Sequence, residues 1–136
     1  GKVNLSNIYD DYAHHPTEIA ATLSGAKQIN KNIVIVFQPH RYTRTKMLFN
    51  NFLNVLSKIK TLYLLETYSA GEKKIRGFES KNIYIKLKRL NKNIVYVGKK
   101  NLNKIIYKET TKKNIIIFMG AGSISKIANN FMKINE

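Results

Sequence analysis

Cysteine is absent from the chain, and its 136 residues include only two prolines, two aspartates and four arginines. The missing cysteines exclude disulfides and cysteine-ligated metal, and they leave the redox compartment open. Long hydrophobic runs are missing too. The longest, such as Ile115–Met119, are far too short to span a bilayer. The opening GKVNLSNIYDD holds no apolar signal segment, so the cytoplasm is the expected compartment. Acidic residues are scarce: eight against 24 basic ones, a formal net charge of +16. That balance directs attention to nucleic acid or anionic lipid. The lysines, however, run from Lys2 to Lys133 and sit mostly beside Asn and Ile, as in KNI at 31, 81 and 113. No RNP-like aromatic motif, zinc finger or heptad pattern accompanies them, and no basic amphipathic helix stands out. The surplus charge therefore reads as solvated surface, and neither a nucleic-acid nor a membrane partner is expected.

What is present suits one domain with a single core: 43% of residues are hydrophobic, with no linker, repeat or low-complexity tract. Apolar, β-branched runs alternate with helical patterns. NIVIVF (32–37), TLYLLE (61–66), NIVYV (93–97) and NIIIFM (114–119) read as strands buried on both faces, with a weaker first strand over 8–11. Helices are expected over 16–29, 45–59, 80–90, 102–108 and 123–134. His15 is the expected cap of the first, followed by Pro16 and by Glu18 in the first turn. Strict alternation implies an α/β, Rossmann-like three-layer sandwich, with a mainly parallel sheet of five to six strands and helices on both faces.

Ligands of such sheets bind beyond the carboxyl ends of the strands. The rare residues fall there. The loop after the first strand carries Asp10, Asp11, Tyr12, His14 and His15, and the next holds His40, Arg41 and Arg44. Together these two loops hold every Asp, His and Pro and two of the four Arg. ETYSAGE (66–72), with Glu72, and GAGS (120–123) close two further loops on the same edge. The carboxylates suit ribose hydroxyls, Mg²⁺ or simple Asx-turns. Adjacent histidines diverge, so His14 and His15 make a poor shared metal site, and no metal site is expected. Two arginines three apart, in a chain of 20 lysines, point to planar recognition of a carboxylate or phosphate, or to a surface ion pair. GAGS offers backbone N–H groups to an anion, or tight strand-to-helix packing; it is not a P-loop. A receiver domain is excluded, because no third Asp exists for phosphorylation. A glycine-fingerprint dehydrogenase is excluded, because DDYAHHP has no glycine.

DDYAHHPTEI (10–19), FQPHRYTRT (37–45), ETYSAGE (66–72) and GAGSISKIA (120–128), in this order, closely resemble the C-terminal domain of the L-alanine-adding Mur ligases of peptidoglycan synthesis. The resemblance runs over nearly the whole chain. It implies that residues 1–136 are one amino-acid-binding domain of a three-domain ligase, whose other two domains bind UDP and ATP. The implied reaction joins L-alanine to UDP-N-acetylmuramate through an ATP-derived acyl phosphate, with Mg²⁺ offsetting charge. ATP and Mg²⁺ would be held mainly by the central domain. By this resemblance Arg41 and Arg44 clamp the L-alanine carboxylate, and Tyr12 and His14 line the cleft. Asp11, and less directly Asp10, meets the ATP ribose, while His40 and Glu72 are supports. With no Walker-type loop, the chain is expected to be silent alone. The rival readings are a small basic nucleic-acid-binding module and a nucleotide-binding domain without chemistry.

Overall fold

A computed structural model of the chain describes residues 1–90 and 93–136. The elements follow in the order β1 (Lys2–Val3), β2 (Ser6–Asp11), α1 (Pro16–Ile29), β3 (Ile33–Phe37), α2 (Tyr42–Met47) and α3 (Phe49–Ser57). They continue with β4 (Thr61–Leu64), α4 (Ser80–Lys88), β5 (Ile94–Tyr96), α5 (Lys99–Glu109), β6 (Ile115–Met119) and α6 (Ile124–Asn135). The apolar runs of β3 and β6 bury every residue, as strands covered on both faces must. These two strands lie side by side at the centre of a sheet ordered β1-β2-β6-β3-β4-β5. All neighbours are parallel except β1, which pairs antiparallel with β2.

Alternation along each strand sorts the core into two layers. Ile33, Ile35 and Phe37 of β3 face one way, with Ile19 and Leu23 of α1, Phe52 and Leu56 of α3, and Ile83 and Leu87 of α4. Val34 and Val36 face the other way, with Phe118, with Leu102 and Ile106 of α5, and with Ile124, Ala128 and Phe131 of α6. Right-handed crossovers account for this split. The chain steps β2, β3, β4, β5 in one direction and lays α1, α3 and α4 on one face. It then turns back to β6 and lays α5 on the other.

The reversal positions the site. Strand β6 leads into α6 on one face, while its neighbours β2 and β3 lead into helices on the opposite face. The loops beyond β6 therefore diverge and open a crevice at the carboxyl edge of the sheet.

Helix α1 begins as its sequence predicts. The His15 Nδ1 accepts from Thr17 N at 3.3 Å, and Glu18 accepts from His15 N at 3.2 Å, a reciprocal cap at the first turn. Other boundaries differ. The helix expected over 45–59 is two, broken at Leu48 (φ −113°, ψ 22°), and α2 starts three residues early. Helix α5 begins at Lys99 rather than 102, because its first turn, KKN, carries no apolar periodicity. The two-residue β1 is too short to show a pattern. Among the described residues, no helix is long and apolar enough to cross a membrane.

Candidate functional site

Strand β2 delivers Asp10 and Asp11 to the crevice, and each carboxylate is engaged at once. Asp11 Oδ1 accepts from Ala13 N at 2.8 Å, an Asx-turn that bends the chain out of the strand. Its Oδ2 accepts from Thr22 Oγ1 of α1 at 3.0 Å. Each oxygen keeps a second lone pair. Asp10 accepts from the Ser125 hydroxyl in the first turn of α6, where negative charge meets the helix dipole favourably. Asp11 also borders a small cleft of about 240 Å³ between β2 and α1, lined by Tyr9, Thr22, Gly25 and Ile29.

The loop after β3 is held by the loop after β4. Arg41 N donates to Tyr68 O at 2.8 Å, and Tyr68 N donates to Pro39 O at 2.8 Å. This pairing holds Arg41 at φ 73° and ψ 142°, a conformation close to one that glycine almost alone adopts. In that shape Arg41 does not cap α2 with its own side chain. Glu72, 30 residues away from Tyr42, does so instead. Its Oε1 accepts from Tyr42 N at 2.8 Å and Thr43 N at 3.1 Å, and its Oε2 accepts from Thr43 Oγ1 at 2.6 Å. The early start of α2 follows from this remote cap, which no local pattern announces.

Arg41 is exposed, and among the described residues its guanidinium forms no hydrogen bond. Arg44 is turned inward: its Nη1 donates to His40 Nδ1 at 2.9 Å and to His40 O at 3.2 Å. The His40 ring stacks on Tyr68, centroids 5.5 Å apart and planes 12° from parallel. On its other side it meets His14 at 6.1 Å, and His14 meets Tyr12 at 5.0 Å. Four rings thus bridge the crevice from the β2 loop to the β4 loop. Against them lies Gly122. A Cβ there would fall 2.5 Å from Tyr68 Cγ, so the second glycine of GAGS makes room for the stack. Ser123 of the same turn exchanges hydrogen bonds with the Gln38 amide and accepts from Lys99 Nζ at 3.3 Å.

The electrostatics follow from these contacts. Burial pushes the His40 pKa below its ordinary 6.5, and the charges of Arg44, Arg41 and His14 push it further, while Glu72 pulls the other way. The Glu72 carboxyl sits below its ordinary 4.5, held first by the Thr43 hydroxyl and then by the Thr43 backbone N–H. A carboxyl with a depressed folded pKa stabilises the fold above its unfolded value, and that contribution is lost as pH falls through the folded one. Glu72→Ala is therefore expected to remove part of the acid dependence of stability below pH 4.5. It should also speed hydrogen exchange at Tyr42 and Thr43. Unchanged exchange there would refute the remote cap.

Asp10, Asp11, Tyr12, His14, His40, Arg41, Arg44 and Glu72 all lie on the edge that opens at β6, but not as one cluster: Tyr12, His14, His40 and Arg44 are in contact, whereas Asp10 turns to α6 on one face of the sheet and Asp11 to α1 on the other. Tyr68 and Thr22 are also part of the arrangement. Tyr68 had a signal in its place within ETYSAGE. Thr22 had none, since a threonine inside a helix is unremarkable. Among the described residues, no three His, Asp or Glu side chains gather as a metal cage.

The sequence pattern of the Mur ligase glutamate ligase domain matches residues 1–122. This chain belongs to the Mur ligase family, as its C-terminal domain. It is 41% identical over 135 residues to the UDP-N-acetylmuramate–L-alanine ligase of Lachnospira eligens, a stretch covering 98% of this chain and 29% of that protein. The chain therefore spans less than a third of that relative. Its fold is similar to the UDP-N-acetylmuramate–alanine ligase MurC of Thermotoga maritima, with a TM-score of 0.71 and 32% identity over 94% of this chain and 26% of that one. A domain assigned to a UDP-N-acetylmuramate:L-alanyl-gamma-D-glutamyl-diaminopimelate ligase of Haemophilus ducreyi has the same fold, with a TM-score of 0.71 at 19% identity. That match covers all of this chain and 96% of the other. The α/β expectation holds: among the described residues the Mur ligase domain has a six-stranded sheet, five of its strands parallel, with helices on both faces.

Proposed function

We propose that this domain is the amino-acid-binding part of a three-domain ligase that joins L-alanine to UDP-N-acetylmuramate with hydrolysis of ATP. The observation that carries this reading is Arg41. An exposed guanidinium on strained backbone, next in sequence to His40 at the crevice of a Mur ligase domain, is suited to receive a carboxylate. Holding that carboxylate directs the amine of L-alanine, which turns a chance encounter into a positioned attack. Tyr12 and His14 wall the cleft. Asp11, with a spare lone pair on each oxygen, accepts from ribose hydroxyls of ATP, and Asp10, the less direct candidate, turns to Ser125 on the other face of the sheet. ATP supplies the activation of the muramoyl carboxylate, and Mg²⁺ offsets its charge. That ion would be held mainly by the central domain. Such a ligase works on soluble nucleotide-linked precursors, consistent with a cytoplasmic setting.

The chain alone, given UDP-N-acetylmuramate, ATP, Mg²⁺ and L-alanine, is expected to release no phosphate. The longer protein carrying it should release phosphate only when L-alanine is present. Ligation by the 136-residue chain, or phosphate release indifferent to L-alanine in the longer protein, would overturn this reading.

A further inference from the structure

The two arginines of RYTR do different things. Arg41 is exposed, whereas Arg44 commits Nη1 to His40, bonding both the ring and the carbonyl of that residue. Arginine has only donors, so His40 Nδ1 must be the acceptor. The neutral ring then carries its proton on Nε2, the nitrogen on the far side from Arg44. Stacking on Tyr68, which Gly122 makes possible, sets the plane of the ring, and the doubly bonded Nη1 sets its rotation.

We propose that Arg44 is a positioning residue, which locks His40 as the Nε2–H tautomer so that His40 and Arg41, rather than the two arginines, present donors to the amino-acid carboxylate. Charge favours the same state. The groups facing His40 are Arg41 and Arg44 from α2 and its cap, His14 from the β2 loop, and Glu72 and Tyr68 from the β4 loop. Three of these can be cationic and one is anionic, so protonating His40 is opposed. The carboxylate half of the proposal rests on the ligase reading, while the tautomer half stands on this chain alone.

The test is nitrogen-15 NMR of the histidine rings in this chain. The wild-type spectrum should show His40 with unprotonated Nδ1 and protonated Nε2 through neutral pH, titrating below 6.5. In Arg44→Met, with amide dispersion retained, the Nδ1–H tautomer should appear and the titration should move up. Arg44→Lys, the milder change, should give an intermediate shift and serves if the first variant unfolds. A wild-type His40 protonated on Nδ1, or a tautomer balance indifferent to Arg44, would overturn the lock. In the complete ligase, Arg44→Met should raise the KM for L-alanine in a manner that follows the His40 titration, whereas Arg41→Met should raise it on both sides of that titration, with a smaller pH dependence because the Arg41 charge also lowers the His40 pKa. Equal, pH-independent effects of both would show a symmetric clamp instead. The ring measurement stands whether or not the ligase reading does, so the two failures are distinguishable.

Discussion

Arg41→Gly should raise the stability of the domain and at the same time impair the ligase. The backbone at Arg41 has φ 73° and ψ 142°, and strain of this kind costs about 1–3 kcal/mol in a residue with a Cβ. Glycine relieves it, less about 0.5–1 kcal/mol for the freedom glycine adds to the unfolded chain. Little else is lost, because the side chain is exposed and unbonded among the described residues, and the Tyr68 pairing uses only its N–H. The net expectation is a gain of about 1 kcal/mol, or roughly 3–5 °C in Tm for a domain this size. The KM for L-alanine in the complete ligase should rise roughly 10- to 100-fold, since hydrogen bonds to a charged group are each worth about 1.5–3 kcal/mol. The KM for ATP should not follow. Denaturant melts and steady-state kinetics on the same variant read both signs. A loss of stability would mean that the backbone at Arg41 is not strained.

Gly120→Ala should be strongly damaging for so small a change. Gly120 has φ 150°, and an added Cβ would lie 2.8 Å from the Gln38 carbonyl and 3.0 Å from Ile124. The carbonyl is main chain and cannot swing away, while the Gly120 N–H is committed to Asp11 O at 3.0 Å. Strain and overpacking together cost about 2–4 kcal/mol, so Tm should fall by roughly 10 °C. Gly25→Ala is the internal control. Gly25 lies within α1, and a methyl added there would meet nothing within 4 Å, so alanine should stabilise by about 0.5–1 kcal/mol. If both alanines behave alike, the close approach at the β6–α6 turn is not real.

The sheet was legible because its strands are chemically blunt. NIVIVF and NIIIFM have no amphipathic alternation and nowhere to go but the centre, and the helical stripes of α1 and α6 name the residues that cover them. What sequence could not show was action at a distance. The start of α2 is set by Glu72, on another loop, and Leu48 breaks a stripe that looks continuous. The site was legible as a list of rare residues on one edge. Its internal division was not. Arg41 and Arg44 look equivalent three positions apart, and only the backbone turn at Arg41 and the nearness of His40 separate a free guanidinium from an engaged one. GAGS likewise left two readings open. The packing reading describes Gly120 against Gln38 and Gly122 against Tyr68.

The most direct measurement replaces the carboxylate rather than only the residue that meets it. L-alanine and L-alaninamide, which lacks the carboxylate charge, are compared as acceptors in the complete ligase, with wild-type Arg41 and with Arg41→Ala. The wild-type should prefer L-alanine in kcat/KM by roughly 10- to 100-fold, and Arg41→Ala should lose most of that preference, since the two changes remove one shared interaction. A preference that survives intact in Arg41→Ala would contradict the assignment of Arg41 to the amino-acid carboxylate.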